Sequence, residues 1–272
     1  MPTYHHRPPV SAAGAVLLEA PADAVPRLRW WRELLTVVVF YGAYTVIRDT
    51  YATTGGAADA QRNARWIVQA ERDLGIFQEQ ALQQAFLGAR WFLEFWNTYY
   101  GTVHFVVVVG VLIYLFRRRP DRYPLWRNAF ALMNLVALVG FAFYPLAPPR
   151  LLPASYHFVD TLVRYGGPWD FDSGPGAQAS NQFAAMPSMH TGWSTWCALA
   201  LVPVIRPRWG KVAIFLYPLS TVFCIVVTGN HYFLDAVGGL MALGVAFALA
   251  YPLTNWWAGR TWRQAAPAPP SG

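Results

Sequence analysis

The chain has 272 residues, 55% hydrophobic and only 13% charged, with a mean hydropathy of +0.26. Soluble domains carry about 25% charged residues, so the composition argues against a disordered chain, a nucleic-acid-binding module or an ordinary cytosolic enzyme. It leaves an all-α polytopic membrane protein, and the net charge of +7 is explained by the positions of the basic residues rather than by a nucleic-acid partner.

Residues 1–29 read as a largely flexible tail. Its apolar run Ser11–Leu18 is short and closely followed by Glu19 and Pro21, a poor signal-peptide core. A membrane-spanning helix needs about 20 mostly apolar residues. Six stretches qualify: Trp31–Ile47, Trp91–Phe116, Leu125–Ala147, Ser188–Ile205, Lys211–Thr228 and Tyr232–Trp257. They define a six-helix membrane domain over residues 30–258. Between the first two, Ala58–Gly88 is amphipathic. Trp66, Ala70, Leu74 and Phe77 fall on one helical face, Arg65, Glu71, Arg72 and Asp73 largely on others, and Gly75 splits the segment into two short helices. It reads as a cap packed on the bundle at the interface, or as a lid or lipid-entry gate.

Arg117, Arg118, Arg119 and Arg122 crowd the connection after the second span. With the other basic residues on that side, they place both termini in the cytoplasm by the positive-inside rule. Ala58–Gly88 and the Gly-, Pro- and Asp-rich connection Pro148–Met186 are then extracytoplasmic. A connection as long as the latter, without periodicity, is usually functional or disordered. Residues 259–272 read as a disordered cytoplasmic tail whose end, Ala265–Gly272, is rich in Pro and Ala. Cys197 and Cys224 lie in apolar runs and read as core residues.

With this topology Arg150, His190, His231 and Asp235 all reach the outer membrane face. His231 and Asp235 are four residues apart, so they stack on one helical face. A carboxylate there fixes the imidazole tautomer and leaves the second ring nitrogen as nucleophile or base. An ion pair holding the helix end is the plainer reading. Pro187 pre-organises a helix start, where the N–H groups of Ser188 and Met189 suit an anion and His190 suits protonation of a leaving oxygen. An interfacial histidine at a helix start is the alternative. The Arg150 guanidinium matches phosphate oxygens as a fork, or else contacts lipid phosphate non-specifically. Together the four suit metal-free phosphoryl transfer through a phosphohistidine. His231 would attack phosphorus, and Arg150 with the two N–H groups would hold the equatorial oxygens. Tyr100, His104 and Asn97 in the second span, with Asn230 and Tyr232, are candidates to line the substrate pocket; a hydrogen-bonded structural role for His104 is equally open. Asp160, Asp170 and Asp172 could meet polyol hydroxyls or form a solvated acidic loop.

At these residues the sequence resembles the type 2 phosphatidic acid phosphatase superfamily. Pro187-Ser188-Met189-His190 matches its Pro-Ser-x-His motif, and His231 through Asp235 matches its His-x-x-x-Asp motif. The chain is most similar to the inositol phosphorylceramide synthase (inositolphosphotransferase) branch, through Ala185–Gly192, His231–Asp235, Pro148-Pro149-Arg150 and Leu74-Gly75-Ile76-Phe77. The resemblance implies a six-helix bundle, no cofactor and no metal, His231 as nucleophile, His190 as acid and base, and Asp235 as the orienting carboxylate. The partner it implies is a phosphorylated membrane lipid, inositol- or polyprenol-containing, with either an alcohol or water as acceptor. Two departures stand out: the first motif's lysine and Arg-Pro ending are represented only by Arg150, and the arginine expected six residues before His231 is Ile225. Two other classes compete. A haem protein could use His104, His190 and His231 as ligands, and a transporter would need none of this chemistry. The sequence assigns no oligomeric state.

Overall fold

The computed structural model describes residues 56–166 and 183–265, together with Arg29, Trp30, Trp31, Glu33, Leu35, Val38 and Gly42. The first expected span, both tails, Asp170 and Asp172 lie wholly or largely outside the described residues. Nine α-helices follow one another in what is described from residue 56 onward: α1 (Ala57–Asp73), α2 (Glu79–Phe86), α3 (Arg90–Arg118), α4 (Tyr123–Phe143), α5 (Thr161–Tyr165), α6 (Met189–Leu201), α7 (Arg208–Ala213), α8 (Leu216–Val227) and α9 (Phe233–Ala265).

Among the described residues, four helical segments are long and apolar enough to cross a bilayer: Arg90–Arg118, Tyr123–Phe143, Arg208–Val227 and Phe233–Trp256. Their outward side chains are apolar as well, including Phe105, Val106, Val109 and Ile113 on α3 and Leu240, Met241, Val245 and Leu249 on α9. Such a belt is stable only in lipid. The protein is therefore a multi-pass membrane protein. The expected fourth span is shorter than its apolar run. Helix α6 covers 13 residues, about 20 Å at 1.5 Å per residue, because Pro203 cannot continue it and the chain turns at Val202.

Helix α6 is nonetheless the centre of the bundle. Trp196, Cys197 and Ala200 on it pack among Val108, Val111 and Leu115 of α3, Met133 of α4, and Ala242, Leu243 and Ala246 of α9. Trp196 is fully buried and donates its indole N–H to the Trp126 carbonyl. At the opposite end of α4 from the site, Arg127 and Tyr123 donate to Glu33, tying α4 to the segment before α1.

The 58–88 segment does form two helices, broken at Leu74–Gln78, but its faces differ from the expected ones. Ala60, Ala64, Ile67, Val68 and Glu71 are buried, while Trp66 and Leu74 are two-thirds exposed. Small side chains let α1 lie close against Leu146, Ala147, Ala185 and Tyr232. Trp66 and Leu74 thus point outward, as they would toward lipid headgroups and chains.

Candidate active site

The site is assembled where three chain reversals meet. The first ends α8. Gly229 takes φ +71°, its N–H donates to the Val226 carbonyl, and the Asn230 N–H donates to Ile225. This is a Schellman turn, in which a left-handed residue satisfies the last carbonyls of a helix. It sets Asn230 and His231 between α8 and the start of α9. Ile225, where an arginine was expected from the resemblance, is fully buried in the core and supplies no charge.

The second reversal starts α6. Ser188 is its N-cap, and its Oγ faces the Thr191 N–H at 3.5 Å. The Ser188 N–H was expected to hold phosphate. Instead it donates to the Asp235 backbone carbonyl at 2.9 Å, because α9 lies directly against the start of α6 and a buried N–H must be paired. The close approach depends on Gly239, where a Cβ would fall 2.2 Å from the Ser188 carbonyl oxygen. Met189 and His190 open α6 and remain partly exposed.

The third reversal follows α4. Pro148 and Pro149 lead into a 3-10 turn, Pro149–Leu151, whose Arg150 N–H donates to the Gly229 carbonyl at 2.8 Å. The Arg150 side chain is 6% exposed. Its Nε donates to Asn230 Oδ1 at 3.1 Å and its Nη1 to Asp160 Oδ2 at 2.5 Å. Asp160 also caps α5, accepting from the Leu162 and Val163 N–H groups. The guanidinium is therefore held in one orientation beside His231.

The two histidines come together. The ring centroids of His190 and His231 are 5.5 Å apart, close enough for one phosphate to touch both rings. Tyr100 stacks on His190 at 4.3 Å, with 20° between the planes, and lies 6.4 Å from His231. His104 meets His190 edge-on at 4.3 Å and packs on Trp193. His231 is 4% exposed. Its Nδ1 lies 2.9 Å from the Ala185 carbonyl and 3.3 Å from Asp235 Oδ2. An Nδ1–H tautomer satisfies both acceptors and turns Nε2 to the site. Burial lowers the His231 pKa from 6.5 to about 4, with the Arg150 charge adding to the effect against the Ala185 hydrogen bond, so the ring is neutral at pH 7.

The remaining pocket candidates have protein partners. Asn97 donates to the Thr161 and Gly166 carbonyls and accepts from Thr161. Tyr232 is fully buried and donates its hydroxyl to the Ala147 carbonyl. Asn230 holds Arg150 and donates to Thr228 Oγ1. These side chains build the walls by fixing backbone.

Two residues were assigned no place in the site by the sequence. Glu71 and Glu79 are fully buried and cap the first turn of α9. Glu71 Oε1 accepts from the Leu234 N–H at 2.7 Å, Glu79 Oε1 from the Phe233 N–H at 3.0 Å, and Asp235 Oδ2 from the Tyr232 N–H at 3.0 Å. Burial and the neighbouring Glu79 push the Glu71 carboxyl up to about 9. The amphipathic pattern had placed Glu71 on a polar face.

Two curated relatives are similar to this chain in sequence. The catalytic subunit of inositol phosphorylceramide synthase, aur1, from Schizosaccharomyces pombe is 28% identical over 172 residues, 57% of this chain and 39% of the relative. Phosphoinositol dihydroceramide synthase from Bacteroides thetaiotaomicron is 27% identical over 147 residues, 49% of this chain and 47% of the relative. The chain thus spans less than half the length of either of these relatives. No solved structure matches it significantly. A family model described as the PAP2 superfamily matches residues 65–249, which include Arg150, both histidines and Asp235, and so the chain is a member of the PAP2 superfamily.

Proposed function

We propose that the protein is a lipid phosphotransferase that moves a phosphoinositol-type headgroup from a donor lipid to a second alcohol through a phosphohistidine. The observation that carries this reading is the 5.5 Å approach of His190 to a buried, neutral His231 beside a braced Arg150. The names of the two synthase relatives support the headgroup class.

In this mechanism His231 Nε2 attacks phosphorus and the bond from phosphorus to the leaving lipid oxygen breaks. His190 delivers a proton to that oxygen. The Ala185 carbonyl and Asp235 stabilise the imidazolium, and the outward edge of Arg150 with the Met189 N–H holds the equatorial oxygens. An incoming alcohol then gives its proton to His190 and attacks phosphorus. The N–P bond breaks and His231 returns to its neutral form. With the six spans and the charge asymmetry that the sequence predicts, both termini would lie in the cytoplasm and this chemistry at the extracytoplasmic face.

The test is a lipid-resolved assay in EDTA. Native membrane lipids incubated with wild type should lose one phospholipid and gain a second that carries its headgroup, while His231→Ala should leave the lipid profile unchanged. Release of a water-soluble phosphate, still carrying the headgroup alcohol or free of it, with no new phospholipid formed would make water the acceptor. Turnover retained in His231→Ala, or strictly dependent on a divalent metal, would overturn the histidine mechanism.

A further inference from the structure

Helix α9 begins two residues after His231, and its own sequence caps it only in part. The N-cap position is Tyr232, whose hydroxyl is engaged with Ala147. Asp235 reaches back to the Tyr232 N–H, which is half of a capping box. The next two N–H groups, of Phe233 and Leu234, are capped from outside by Glu79 and Glu71. These acids flank the turn between α1 and α2, so the outer cap grips the backbone at the site through two hydrogen bonds.

Only one oxygen of each acid is used in this way. Glu71 Oε2 and Glu79 Oε2 are buried and find no donor among the described residues. Two adjacent buried carboxylates with unpaired oxygens would carry a large desolvation and repulsion cost. The two carboxyl groups lie within hydrogen-bonding reach of each other. One proton between the Oε2 atoms removes both costs and leaves a single negative charge at the positive end of α9. The groups facing the pair are Asp235 on α9, Tyr232 at its start and Tyr156 in the 3-10 turn Ala154–Tyr156.

We propose that Glu71 and Glu79 form a proton-sharing carboxyl pair that acts as a positioning device for His231, holding the first turn of α9 so that the ring keeps its place against Ala185 and His190. Glu71 donates the shared proton to Glu79 Oε2. The shared proton is independent of the proposed reaction, whereas the positioning role rests on His231 being the nucleophile.

The experiment uses full-length protein in lipid nanodiscs. Infrared spectra at pH 7 should show a protonated-carboxyl C=O band that fades as pH rises through about 9 and is missing in Glu71→Gln. Absence of that band in wild type overturns the shared proton. In the headgroup-transfer assay, Glu71→Ala should lower kcat about 10–100-fold with little change in KM, the scale expected of a misplaced reacting group. Glu71→Gln, whose amide can both accept from Leu234 and donate to Glu79, should restore most of that loss and should lack the fall in kcat expected in wild type as the shared proton is lost above about pH 9. Wild-type kcat in Glu71→Ala, or no rescue by Gln, overturns the positioning role. Wild type without turnover overturns it too, along with the functional reading, while the infrared band still decides the proton.

Discussion

Arg150 and Asp160 form a nearly buried ion pair in which the aspartate serves two masters: one oxygen takes the guanidinium at 2.5 Å and the other caps α5. The pair therefore links the orientation of the proposed phosphate ligand, Arg150, to a short helix after the Arg150 turn. Arg150→Lys keeps the charge but loses the planar fork and the Asn230 contact. It is expected to lower kcat/KM about 10²–10³-fold, as removal of an oriented transition-state donor does. Asp160→Asn keeps one acceptor for the α5 cap but removes the countercharge, and about a tenfold loss is expected, mainly in KM. Steady-state kinetics with a defined lipid donor would check both. An unchanged Arg150→Lys enzyme would show that the fork does not touch phosphate.

Asp235 carries less of the tautomer control than the sequence spacing suggests. Its Oδ2 is 3.3 Å from His231 Nδ1, while the Ala185 carbonyl is at 2.9 Å. Where a carboxylate alone fixes the imidazole, converting it to an amide costs about 10⁴-fold in kcat. Here the carbonyl keeps the Nδ1–H tautomer in place, so Asp235→Asn should cost about 10–100-fold. His231→Gln should abolish turnover. Measuring both variants under single-turnover conditions separates the two effects, and a loss in Asp235→Asn as deep as in His231→Gln would return the orienting role to the carboxylate.

Much of this arrangement was legible in the sequence because helix ends have local signatures. Pro187-Ser188 marks the start of α6, and the four-residue spacing of His231 and Asp235 puts both at the start of α9. Hydropathy and charge marked the long apolar segments. Other features depend on contacts distant in the chain. Ala185 acts through its carbonyl, which has no residue signature. The Ser188 N–H is taken by a backbone oxygen of α9, and Asn97 turns out to brace α5. Glu71 sat on an apparently polar face because periodicity cannot distinguish a solvated acid from one buried against a helix end 163 residues away in sequence. The length of α6 was overestimated because an apolar run persists past Pro203 while the helix does not.

The neutral state of His231 at pH 7 gives an acid limb with a definite sign. Burial lowers its pKa from 6.5 to about 4. A nucleophilic imidazole is active only when unprotonated, so activity is retained above the folded-state pKa and lost as pH falls through it. The acid limb of kcat/KM assigned to His231 should therefore lie near pH 4 rather than 6.5. Replacing Arg150 removes a charge that disfavours the imidazolium, so the limb should move upward in Arg150→Gln. Histidine NMR titration of ring-labelled protein would locate this ionisation independently of turnover, and a His231 resonance titrating near 6.5 would contradict a dry, buried ring.

The contact of α9 with the start of α6 offers a test of the site's architecture that touches no ionisable group. At Gly239 an added Cβ would lie 2.2 Å from the Ser188 carbonyl oxygen and 3.3 Å from the Gly192 N–H nitrogen. Both neighbours are backbone, so the overlap cannot be relieved by a rotamer change, and α9 must shift away from α6. That shift strains the hydrogen bond from Ser188 to the Asp235 carbonyl and moves His190 relative to His231. Gly239→Ala should destabilise the protein by about 1–3 kcal/mol, the usual scale for overpacking, and lower kcat about 10²-fold through misplaced groups. Gly244→Ala lies on the same helix where a Cβ meets nothing within 4 Å, so it should leave both quantities near wild type. Thermal unfolding in detergent together with headgroup-transfer kinetics would check the pair. Equal effects at the two positions would mean that helix flexibility, rather than the closeness of Ser188, explains the need for glycine at position 239.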